Sequence, residues 1–176
     1  MQKTTKLLIT IISGFYLASL VVPGLETNLY LNRYLVESNH EYWRLLTVAL
    51  VHGGIMHLFF NMYALLVLGN TIESALGQKK FLIIFLVSLV GASLTSIYSN
   101  PNNIISVGAS GAIFGLFGAM VIISKRFGLE TKQIYIVVGI NFAIGFIFPG
   151  IDWHAHLGGL ITGLATTSLL LAPTRR

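Results

Sequence analysis

The stretch VGASGAIFGLFGAMVIISKR, residues 107–126, decides the fold. It opens on a turn of small residues, Gly108-Ala109-Ser110-Gly111, and closes on Lys125-Arg126. From Ala112 only about 13 residues precede those charges; as a helix they reach about 20 Å, against a bilayer core of about 30 Å. The predicted helix is therefore short and begins well below one membrane surface, with Ser110 at its first turn. Non-helical backbone at that depth must be buried in protein or line a wet cavity, because lipid offers it no hydrogen bonds. A helix start also aims free N–H groups at whatever binds there, which suits a developing oxyanion. Along the helix Gly111, Gly115 and Gly118 recur at i, i+4 and i+7, leaving a face small enough for close approach. Gly159 and Gly163 form a matching pair in the last apolar segment, with His156 three residues before Gly159 on the same face. Packing these two faces together brings His156 close to Ser110. A serine with a base in reach is the minimum for a nucleophilic hydrolase.

The rest of the chain agrees with a membrane setting. Of 176 residues, 55% are hydrophobic, and eleven basic and six acidic side chains are too few to cover a soluble surface. Six apolar segments can be placed, at 6–24, 48–70, 80–98, 108–124, 132–148 and 153–172. The expectation is an all-α membrane protein, one domain over 1–176, with no repeat and no soluble appendage. The first segment is followed by further ones, so it reads as a span and not as a cleaved leader. The absence of cysteine excludes disulfides, thiol nucleophiles and thiolate metal sites. Lys3, Lys6, Lys79, Lys80, Lys125, Arg126, Lys132, Arg175 and Arg176 fall on one side of these spans, and only Arg33 and Arg44 on the other. The positive-inside rule then puts both termini in the cytoplasm. The net charge of +5 is thus a topology signal, and a nucleic-acid partner is not expected.

Polar side chains within membrane segments are costly and are functional candidates by default. His52 and His57 open the second predicted span, His154 and His156 open the sixth, and His40 lies in the long first connection. Asn61 follows His57 by four residues and shares its helix face, whereas His52 lies about 140° round an ideal helix from His57. Each feature also has a plainer account. A single serine in a membrane helix is more often a packing residue than a nucleophile, and GxSG alone is a weak motif. Trp43 would ordinarily anchor at the interface and Arg44 snorkel to it. Four imidazoles on one side raise a zinc site, but HxxxxH is not the spacing that sets two ligands beside a catalytic glutamate. A proton-coupled transporter would want a midplane acid; Glu73 lies toward the cytoplasmic end, far from the histidines.

Taken together, Trp43-Arg44, His52-x4-His57-x3-Asn61, Gly108-Ala109-Ser110-Gly111 and Ala155-His156-Leu157-Gly158-Gly159 resemble the rhomboid family of intramembrane serine proteases. The order and spacing of these motifs span nearly the whole chain, and the form resembled is the minimal six-span bacterial one. The resemblance implies a bundle with a short fourth helix and a lateral first loop, carrying Trp43 and Arg44, half-embedded in the outer leaflet. It implies Ser110 as nucleophile and His156 as general base, with His57, Asn61 and the Ser110 N–H holding the oxyanion. It further implies Gly108 as the glycine that leaves room at the serine, Phe114 as an aromatic stacked on the catalytic histidine, His52 as a supporting histidine and Glu73 as a structural acid. Membrane-protein substrates and the lipid bilayer are the partners implied, in a bacterial plasma membrane, with no metal and no cofactor. His154 receives no role, and Asp152 is left free to face outward. Three readings stand at this point: an active protease, a catalytically dead relative that binds client helices, and a small transporter. The second should have lost Ser110 or His156, and the third needs a continuous polar path to the cytoplasm.

Overall fold

The computed structural model describes residues 1–147 and 150–173. Phe148, the last residue of the fifth predicted span, and Arg175 and Arg176, used above for orientation, lie outside the described residues. The chain is all-α, as its composition implies. In order the α-helices are α1 (Lys3–Ser19), α2 (Arg33–Glu37), α3 (Arg44–Thr47), α4 (Ile55–Leu76), α5 (Gln78–Ser99), α6 (Ser110–Arg126), α7 (Lys132–Ile147) and α8 (Trp153–Leu170). Two short strands, β1 (Leu31–Asn32) in the first connection and β2 (Ile105–Ser106) before α6, pair antiparallel with Leu31 opposite Ser106. By length and composition α4 and α5, each of 22 residues, can cross a bilayer, and α7 is a shorter apolar helix.

The second predicted span starts too early. Residues Val48–Leu50 form a separate 3-10 turn, Val51 is extended, and α4 begins only at Ile55. The run of apolar residues is continuous across 48–70, but Gly53-Gly54 interrupts the helix that hydropathy alone would draw. His52 consequently lies ahead of α4, and only His57 opens it.

Helix α6 is the centre of the packing. Ala112, Leu116 and Ala119 have no exposed surface, and small residues on both neighbours explain how that is achieved. Gly111 and Gly115 face Ala92 and Ser88 of α5, while Gly159 and Gly163 of α8 lie against the carbonyls of Gly111 and Gly115. The glycine faces expected to meet do meet. Helix α7, by contrast, buries only Gly145 among its described residues.

Two charged side chains expected to be structural are buried. Glu73, on α4 and 3% exposed, accepts from the Thr4 and Thr5 amides and from Thr5 Oγ1, each at 2.8 Å. Helix α1 has no side-chain cap of its own, so a carboxylate from α4 serves its free N–H groups and its dipole. Glu73→Ala should therefore cost about 2–3 kcal/mol by leaving those donors buried and unpaired. Thermal melting in detergent checks this: Glu73→Gln, which keeps acceptor oxygen, should lose less, and unchanged melting of the alanine variant would refute the cap.

Arg44 is 4% exposed and is not a snorkelling charge. It donates to the carbonyls of Thr27 and Tyr30 at 3.0 and 2.8 Å and to Glu41, with its guanidinium over the Tyr30 ring. The bond from Arg44 holds the Glu41 carboxyl below its usual pKa. Trp43 is exposed but ties its Nε1 to the Asn28 carbonyl, so the pair staples the long connection together.

Candidate active site

Ser110 is the first residue of α6, and the backbone ahead of it is held from several directions. Gly108 donates its N–H to the Val48 carbonyl at 3.0 Å and adopts φ +113, a region that L side chains rarely enter. His156 is the fourth residue of α8, one turn inside a helix capped by Asp152. With the glycine faces in contact, His156 Nε2 comes to 3.0 Å from Ser110 Oγ. The Phe114 ring lies parallel to the imidazole, 10° between planes and 4.1 Å between centroids, so the ring orientation is fixed by stacking. Phe142 of α7 meets Phe114 edge-on at 5.1 Å and closes the same aromatic cluster. An imidazole nitrogen at this distance can take the proton of an attacking hydroxyl, within the reach a general base requires.

His57 and Asn61 stand one turn apart near the start of α4. Gly53 donates its N–H to His57 Nδ1 at 3.4 Å, so in the neutral ring the proton sits on Nε2. That Nε2 faces Gly108: a methyl there would be 2.9 Å from it, and the position must stay glycine for space as well as for φ. Asn61 is buried and donates one amide hydrogen to the His57 carbonyl at 2.9 Å, keeping a second. Among the described residues, His57 Nε2–H and one Asn61 N–H have no protein partner, and the first of them lies against the serine turn at Gly108. His52 packs its ring edge-on to His57 at 5.1 Å, and among the described residues both its nitrogens are buried without a hydrogen-bond partner. Buried polar atoms of this kind call for water. Among the described residues no three histidines or carboxylates converge as a metal-ion set.

Asp152 does not face outward. Its side chain is 15% exposed and turned into the protein. Ser96 Oγ and Ser106 Oγ donate to Oδ2 at 2.5 and 2.6 Å, and Asn100 Nδ2 and the Ala155 amide donate to Oδ1 at 2.9 and 3.1 Å. Burial pushes its pKa up, but the bonds from Ser106, Ser96, Asn100 and Ala155 prevail and hold it below the ordinary value. His154 lies 4.0 Å away at the rim. Sequence reasoning missed Ser96, Asn100, Ser106 and Phe142. An aspartate directly before a helix is a capping signal that was available for Asp152; nothing local marks the others. Trp43, Arg44 and Glu73 are engaged in the first connection and at the start of α1, in contacts separate from this cluster.

A family model described as the Rhomboid domain matches residues 39–173, which include all of these groups. The chain belongs to the rhomboid family. It is 38% identical over 138 residues to the rhomboid protease GluP of Bacillus subtilis, covering 76% of this chain but 27% of that protein. It is 33% identical over 144 residues to the putative rhomboid protease YdcA of the same organism, covering 79% of this chain and 72% of that one. It is also 35% identical over 140 residues to the inactive RHOMBOID-like protein 8 of Arabidopsis thaliana, covering 76% of this chain and 39% of the relative. Rhomboids are integral membrane proteins, in keeping with α4 and α5. A relative named as inactive at similar identity means that activity has to be argued from the site and not from the rhomboid family alone.

Proposed function

We propose that this chain is an intramembrane serine endopeptidase that cuts transmembrane segments of other membrane proteins near the outer face. The observation that carries the reading is the 3.0 Å approach of His156 Nε2 to Ser110 Oγ under a stacked Phe114 ring. His156 Nε2 takes the Ser110 proton as Oγ attacks the substrate carbonyl. The oxyanion then accepts from His57 Nε2–H, Asn61 Nδ2–H and the Ser110 amide at the α6 start. The His156 imidazolium returns its proton to the leaving amine, giving an acyl-enzyme. Water entering from the outer face, deprotonated by His156, attacks the ester and releases Ser110. No metal or cofactor takes part. The spans are α1, α4, α5, α6, α7 and α8, both termini are cytoplasmic, and the setting is a bacterial plasma membrane. Substrates are single-span or multi-span proteins whose helix unwinds locally at the cut.

The test is cleavage of a single-span model substrate by the purified protein in the presence and absence of EDTA, with Ser110→Ala alongside. Cleavage that needs Ser110 and ignores EDTA supports the dyad; loss with EDTA would overturn it. Removing oxyanion donors should give graded effects. Asn61→Ala and His57→Ala should each lower kcat by about 10²- to 10³-fold, with little change in KM, because the donors act on charge that develops only in the transition state. Steady-state kinetics on both variants check this, and a change confined to KM would remove those residues from the oxyanion site.

A further inference from the structure

We infer that Asp152 is a positioning residue for the Ser110–His156 pair, its carboxylate tying the loop that delivers Ser110 to the helix that delivers His156. The inference rests on the dyad reading above. Four hydrogen bonds converge on this group from three places in the chain: Ser96 and Asn100 at the end of α5, Ser106 on β2, and the Ala155 amide within α8. Ser110 follows Ser106 by four residues, and His156 follows Asp152 by four. The two reacting side chains thus hang from a single junction, each by one short segment.

With Asp152 ionised, both serine hydroxyls can donate to Oδ2, at 2.5 and 2.6 Å, and they also lie 2.9 Å from each other. The second Asn100 amide hydrogen points to Ser96 Oγ at 3.4 Å. Each carboxylate oxygen receives two donors. An asparagine in place of Asp152 reproduces this only in part: with its oxygen kept on the Asn100 and Ala155 donors, its NH2 faces the two serines, which must turn and accept. The serine pair then loses its shared charged acceptor, and the bonds that tie β2 to α8 lose their charge assistance. β2 is also paired to β1 on its other side, and Asn32 of β1 bonds the Ile104 carbonyl, so the loop's other hydrogen bonds on this side run to the first connection. Breaking the Asp152 link leaves the α6–α8 glycine seam as the tie between them, and the backbone ahead of Ser110 can then shift against the start of α8. At a hydroxyl–imidazole distance of 3.0 Å, a displacement of about 1 Å can cost about 100-fold in rate.

The experiment measures three variants, Asp152→Asn, Ser106→Ala and the double, for thermal stability, steady-state kinetics and the rate of Ser110 labelling by a fluorophosphonate. Titration of labelled sites gives kcat per competent molecule, which separates misplacement from loss of folded protein. Asp152→Asn should lower kcat per titrated site by about 10- to 100-fold with KM nearly unchanged, and slow labelling in parallel. Ser106→Ala should move both in the same direction by less, and the double variant should be no worse than Asp152→Asn, since both cut one link. A normal kcat per titrated site in Asp152→Asn, at whatever stability, reduces Asp152 to a structural cap and overturns the inference. Should Asp152→Asn not fold, Ser106→Ala decides alone, and its unchanged kcat is equally fatal. A wild-type protein that neither cleaves nor labels overturns the dyad reading and this one together, whereas an active wild type with an unaffected Asp152→Asn overturns only this one.

Discussion

Ser110→Ala is expected to reduce cleavage of a single-span substrate to background, a fall of about 10⁶ in kcat, and His156→Ala to do nearly the same. The two act as one unit, so the double variant should be no slower than either single one. The chain has no cysteine that could stand in as nucleophile. The serine variant is the cleaner of the two on structural grounds. Among the described residues the hydroxyl of Ser110 bonds only His156 Nε2, and alanine is well tolerated in a helix, so melting should barely move. His156 is 7% exposed and stacked on Phe114, so its removal opens a void beside the aromatic cluster and should lower stability as well as rate. Cleavage surviving in Ser110→Ala would end the protease reading built on this pair.

The second large effect belongs to the seam between α6 and α8. A methyl added at Gly159 would fall on the Gly111 carbonyl oxygen, and one at Gly163 on the Gly115 carbonyl, far inside van der Waals contact. Both obstacles are backbone, which no rotamer change can move aside. Gly159→Ala or Gly163→Ala therefore has to push α8 away from α6. That should cost about 3 kcal/mol or more in stability and, because α8 carries His156, about 100-fold in activity. Gly139→Ala on α7 is the matched control: nothing lies within 4 Å of the added methyl, and neither melting nor cleavage should change. Thermal melts and cleavage rates of the three variants check the contrast. A Gly159→Ala protein as stable and active as the wild type would mean that the helices do not pack through this seam.

The glycine seam was legible before any coordinates because i, i+4, i+7 spacing is local and its meaning in lipid is general. It led directly to the Ser110–His156 pairing, and the two side chains lie 3.0 Å apart across that seam. Phe114 over the histidine and Gly108 as the glycine leaving room at the serine rested on the family resemblance; Phe114 stacks at 10° on His156, whereas the room kept at Gly108 is toward His57, whose Nε2 would lie 2.9 Å from an added methyl. Hydropathy misplaced the start of α4, since Val48 to Val51 are as apolar as a span while their backbone turns away from helix. Arg44 read equally well as a snorkelling charge or a structural one, because the carbonyls it bonds, at Thr27 and Tyr30, belong to a segment with no periodicity to predict its path.

By itself the sequence determined that this chain is helical and lies in a membrane, which residues could approach closely, and that a serine and a histidine would share one seam. Composition and spacing carry that much, because lipid penalises charge and exposed backbone wherever they occur. Only the tertiary structure decided what surrounds the pair. Asp152 meets Ser106 across 46 residues of chain and Ser96 across 56, and Phe142 reaches Phe114 from a helix that otherwise packs loosely. Such contacts arise where buried donors must find acceptors as whole helices settle, and no local pattern fixes which ones will meet.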